Sequence, residues 1–66
     1  MSELVDRCQR LIAKGENLAE QTNPTDAAEM RRLVAEVRRA IDRRSQGDME
    51  RGLTQLEDLV FYVEDA

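Results

Sequence analysis

Apolar residues return along this chain every three or four positions, in three runs separated by two polar breaks. In the first run Leu4, Cys8, Leu11, Gly15 and Leu18 share one face, which Val5, Ile12 and Ala19 widen on one side. Met30, Leu33, Val34, Val37 and Ile41 form the second stripe, with Ala27 and Ala40 as its small ends. The third is Met49, Leu53, Leu56, Leu59 with Val60, and Val63. Recurrence at i, i+3/i+4 and i+7 is the pattern of an amphipathic helix, and nowhere do apolar residues alternate with period two over a useful length. The pattern predicts helices over residues 3–20, 24–44 and 48–64. No isolated helix of that length is stable alone, because most helical stability comes from burying the apolar face. The expectation is an all-α, antiparallel three-helix bundle forming a single domain over residues 1–66.

The polar breaks carry start and stop signals. Asn23 suits a helix cap, Pro24 the first helical position, where its missing N–H costs nothing, and Asp26 the reach-back position. Arg43 and Arg44 are expected in the last turn of the second helix, where positive charge meets the negative end of the helix dipole. Gly47 reads as the residue that ends that helix and Asp48 as the cap of the third. Gly15 and Gly52 fall inside helical runs, where glycine costs about 1 kcal/mol relative to alanine. At Gly15, close approach of a neighbouring helix would compensate.

Size and composition narrow the class. A chain of 66 residues has one modest core and buries only about 60% of the surface its unfolded form exposes. There is one cysteine and no histidine, so no internal disulfide forms, and the usual general base and commonest metal ligand are missing. The opening Met1-Ser2-Glu3 lacks the basic and apolar regions of a signal peptide, and no apolar run is long enough to span a bilayer. A cytoplasmic protein away from membranes is the expectation. The formal charge of −4 gives no general attraction for nucleic acid. That charge is unevenly spread: residues 30–44 carry six arginines against Glu36 and Asp42, whereas residues 45–66 carry six acids and only Arg51. A basic second helix and an acidic third are expected to attract along their shared edge.

Candidate chemistry is sparse. Arg32, Arg39 and Arg43 share one helix face and Arg31 and Arg38 an adjacent one, so a phosphate-contacting stripe is one reading and a solvated face the other. No aromatic residues interleave with these arginines, which favours the solvated face. Cys8 lies on the apolar stripe and reads as a small buried hydrophobe. Glu57-Asp58 and Glu64-Asp65 pair carboxylates in sequence, but adjacent helical residues point apart. With no phosphate loop and no nucleophile beside a base, the expectation is a non-enzyme with no cofactor and no metal. Phe61 and Tyr62, the only aromatic residues, are expected to close the end of the bundle, with partner docking as the second reading.

The order of these signals resembles a known module. Asn23-Pro24-Thr25-Asp26-Ala27-Ala28-Glu29, the arginine-rich helix, Gln46-Gly47-Asp48 and then Leu53, Leu56 and Leu59 at three-residue spacing look like the C-terminal helical lid of the seventy-kilodalton heat-shock chaperones, the DnaK-like family. Leu4, Leu11, Ile12 and Leu18 would match the distal part of the long lid helix, and Asn17, Leu18 and Glu20 would lead into the following loop. The proximal lid helix, the peptide-binding sandwich and the ATPase domain have no counterpart in this sequence. Val63-Glu64-Asp65-Ala66 only faintly matches the acidic docking tail of cytosolic members. The resemblance implies an excised segment of a chaperone or a free-standing relative of one.

Three functions rank in order. The first is a lid-like module that packs or docks to regulate how long a peptide is retained, with the rest of a chaperone, a co-chaperone or a client as partner. The second is a free-standing protein-interaction or homo-oligomerisation bundle. Nucleic-acid binding through the arginine-rich helix ranks last. Arg32, Arg39, Arg43, Phe61 and Tyr62 are the candidate partner contacts.

Overall fold

A computed structural model describes residues 2–65; Met1 and Ala66, which end two of the motifs read above, lie outside the described residues. Three helices make up nearly all of it: α1 (Glu3–Ala19), α2 (Pro24–Asp42) and α3 (Gln46–Asp65). Each packs on the other two, giving a three-helix bundle of triangular cross-section whose Cα atoms extend 32 × 17 × 16 Å.

Local chemistry fixes the helix starts. The Ser2 hydroxyl accepts from the Leu4 N–H at 3.2 Å, capping α1. Asn23 holds an extended backbone (φ −67°, ψ 159°) and its side-chain carbonyl accepts from the Asp26 N–H at 2.8 Å. Its amide in turn donates to the Asp26 carboxylate at 2.9 Å. Asp26 therefore does reach back, to the cap's side chain instead of its backbone. Such a cap is worth about 1 kcal/mol.

The second break differs from its prediction. α2 ends at Asp42, with Arg43 as its C-cap, and Arg44 turns left-handed at φ 55°. The Ser45 N–H then donates to the Ala40 carbonyl and the Arg44 N–H to the Ile41 carbonyl, each at 3.0 Å. These paired bonds are a Schellman ending, which ordinarily places glycine in the left-handed position. α3 begins at Gln46, so Gly47 and Asp48 lie inside its first turn, and Gly47 neither ends α2 nor does Asp48 precede α3. The residue before α3 is Ser45, whose carbonyl accepts from the Met49 N–H at 2.9 Å. Ser45 stands three residues before Asp48, the spacing of a capping box.

The glycine thus sits three residues beyond the position that needs one. A Cβ on Gly47 would meet nothing within 4 Å, whereas the left-handed region costs an L-residue about 1–2 kcal/mol. Arg44→Gly is expected to raise stability by about 1 kcal/mol and Gly47→Ala by about 0.5–1 kcal/mol. Chemical denaturation of both single variants checks this, and lowered midpoints would refute the assignment of the turn.

The core lies along the bundle axis and is aliphatic. Cys8, Ile12 and Ala19 of α1 meet Met30, Val34 and Val37 of α2 and Met49, Leu53, Leu56 and Val60 of α3. Leu4, Leu11 and Leu18, placed at the centre of the first stripe by sequence, are only half-buried. The buried face of α1 is rotated toward Ile12 and Ala19, the residues expected at its margin. Small residues explain the rotation: Gly15 and Ala19 are both buried, and a Cβ on Gly15 would lie 3.2 Å from Val34 Cγ2. The close approach expected at Gly15 is therefore present.

Candidate functional site

The two aromatic residues are outside the core. Phe61 is 71% exposed and Tyr62 62% exposed, which overturns the expectation that they close the end of the bundle. The reason is helical phase. The buried face of α3 runs through Leu53, Leu56 and Val60, and residues 61 and 62 fall beyond either edge of it at 100° per residue. One turn on either side of Phe61 stand Glu57, Asp58, Glu64 and Asp65. Tyr62 instead borders a groove between α2 and α3, together with Glu29, Leu33 and Leu59. Large apolar groups left in water beside a charged rim are a feature of docking surfaces.

The arginines are largely occupied. Arg32 donates to Glu29 at 2.7 Å and also to Glu36, both on its own helix. That donation holds the Glu29 carboxyl below its ordinary value. Arg38 pairs with Glu16 of α1 at 2.9 Å. Arg43 reaches Asp48 at 3.3 Å across the turn. Arg51 also donates to Asp48, and this bond, with Ser45 and Arg43 adding, holds that carboxyl down. Arg31, Arg39 and Arg44 make no ion pair among the described residues. The stripe is therefore interrupted by carboxylates, with Arg39 the free guanidinium on its outer face.

The expected attraction between α2 and α3 is redirected. Only Arg43–Asp48 links those helices among the described residues, while the acids of α3 reach α1: Glu57 pairs with Arg7 at 3.6 Å and Glu64 with Lys14 at 3.1 Å. α1 lies parallel to α3 and presents its bases at matching heights. All of these pairs are surface-exposed, where each contributes about 0–1 kcal/mol.

Cys8 is fully buried. Burial pushes its thiol above the ordinary value, with Glu57 acting in the same direction and Arg7 against it. A thiol so placed has little thiolate at neutral pH and no route to a reagent. Labelling by a soluble disulfide reagent is expected to proceed only as fast as the bundle opens, and to accelerate in step with unfolding by urea. Rapid labelling of the native protein would contradict this placement. Among the described residues, no three His, Cys, Asp or Glu side chains are grouped to hold a metal ion, and no helix is long and apolar enough to cross a membrane. The chain matches no protein-family model, no curated protein and no solved structure.

Proposed function

We propose that this chain is a docking module, a helical bundle that acts by packing against another protein and performs no catalysis of its own. The observation that carries the reading is the pair Phe61 and Tyr62, both left in water on α3 while the core is filled by aliphatic side chains. Burying an aromatic side chain of this kind is worth about 1.5–3 kcal/mol, and the bundle forgoes that gain twice. A partner surface would recover it. The lid-like role is the form of this reading in which the partner is the remainder of a DnaK-type chaperone and docking governs peptide retention. The capped Asn23-Pro24 helix start supports that form, while the Gly47-Asp48 signal falls within α3.

The test is photo-crosslinking in living cells with benzoylphenylalanine in place of Phe61, and at Gln9 as a control on another exposed face. One adduct of discrete mass from position 61, absent from position 9, is the expected result. The same diffuse products from both positions would overturn the docking reading.

A further inference from the structure

The outer surface between α2 and α3 is one continuous trough. Its two halves, one bordered by Arg39, Arg43, Asp48 and Arg51 and the other by Glu29, Asp58 and Tyr62, share Glu36 and Gln55 at the middle. The halves are opposite in character. Near the turn, Arg43 and Arg51 hold Asp48 and Arg39 borders the same half unpaired. At the far end, Arg32 is taken up by Glu29 and Glu36, leaving Asp58 beside the exposed ring of Tyr62.

We infer that this trough docks a second copy of the chain, antiparallel, with the arginine half of one copy on the acidic aromatic half of the other. The inference rests on the docking reading, for Tyr62 belongs to both. Spacing supports it. Arg43 and Glu29 each lie seven residues from Glu36, on opposite sides, as Asp48 and Tyr62 do from Gln55. A two-fold axis through Glu36 and Gln55 sets Arg43 of each copy against Glu29 of the other. It sets Arg51 near Asp58 of the other copy, and the Tyr62 ring among guanidinium groups, where arginine stacks well. The two Glu36 carboxylates that meet at the axis are each already engaged by Arg32. A parallel arrangement would bring acidic end to acidic end, so charge selects the antiparallel one.

Two-fold pairing uses the same patch on both copies and closes at the dimer. A face outlined by Cα atoms over 32 × 17 Å, widened by its side chains, is on the scale of the ~800 Å² per partner that a specific interface buries. Because the contacts are largely ionic, association should weaken with salt.

The experiment is sedimentation equilibrium of the purified chain up to millimolar concentration, with Glu29→Arg, Arg43→Glu and the variant carrying both. The wild type is expected to form a dimer whose Kd rises more than tenfold in about 1 M salt, where screening acts within ~3 Å. Each single reversal opposes like charges and should weaken the dimer at least tenfold. The double variant, and an equimolar mixture of the two single variants, should restore it. Circular dichroism of each variant at low concentration verifies the fold. A monomer at every concentration would overturn the inference, as would a dimer indifferent to both reversals. If the purified chain is monomeric but position 61 still captures one discrete partner in cells, the second copy is excluded and the docking reading stands.

Discussion

Leu56→Ala is expected to remove about 2–5 kcal/mol of stability, on the order of half of what a domain of this size holds. Leu56 is fully buried on the central helix face of α3, and its Cδ1 reaches to 3.5 Å from where a Cβ on Gly15 would stand. It thus joins α3 to α1 as well as filling space beside α2. Truncation leaves a cavity where all three helices meet, and none can close it without losing its other contacts. At roughly 0.05–0.15 kcal/mol per residue, a domain of this size has only about 3–10 kcal/mol to lose. Urea denaturation followed by circular dichroism measures the change, with Leu59→Ala as the comparison because Leu59 is only half-buried. Equal shifts in the two variants would place Leu56 outside the core.

Gly52→Ala has the second large effect and runs against helix propensity. Alanine is the better helix former by about 1 kcal/mol, yet its Cβ would lie 2.9 Å from Val37 Cγ2. Val37 is fully buried, and a β-branched side chain in a helix has essentially one rotamer, so it cannot swing aside. Either the α2–α3 spacing grows or the valine is strained. The net result is a loss of about 1–3 kcal/mol. Combining it with Val37→Ala should recover part of that loss, so the double variant is more stable than the two single losses added together. A coupling of about 0.5–3 kcal/mol is expected for residues in direct contact; strict additivity would show that the two do not touch. The same substitution at Gly15 is milder, because its Cβ would meet Val34 Cγ2 at 3.2 Å and the flexible thioether of Met30 at 3.4 Å.

The fold was legible in the sequence wherever local and tertiary preferences agreed. Asn23, Pro24 and Asp26 specify a helix start by side-chain chemistry alone, and α2 begins there. Its stripe from Met30 to Val37 is buried as its period demands. The α2–α3 turn is hidden in the sequence because Gly47 is the more obvious left-handed residue, while the chain uses Arg44. Ser45, three residues ahead of Asp48, was the available signal for the true start of α3. The rotation of α1 was not legible, since Leu4, Leu11 and Leu18 outrank glycine and alanine on any hydrophobic scale. Close approach at Gly15 decides that face, and proximity between helices is not written in one helix alone.

At the candidate site, the sequence singles out Phe61 and Tyr62 but points first to closing the end of the bundle and only second to docking. Their distance from the Leu53, Leu56 and Val60 face was countable from helical phase. The arginine face of Arg32, Arg39 and Arg43 is also legible as a set, and its neutralisation in part. Glu29 and Glu36 lie three and four residues from Arg32 on α2 itself, whereas the pairing of Arg43 with Asp48 depends on how tightly the chain turns.

Connections of four residues, 20–23, and three, 43–45, join the helices, so consecutive helices meet by closing small loops. Loops of about ten residues close in roughly 10–100 ns, and bundles dominated by such local contacts fold in microseconds to milliseconds. A bundle that re-forms this fast can open often without remaining open. An opened molecule then spends only microseconds to milliseconds with its apolar stripes in water before they meet again.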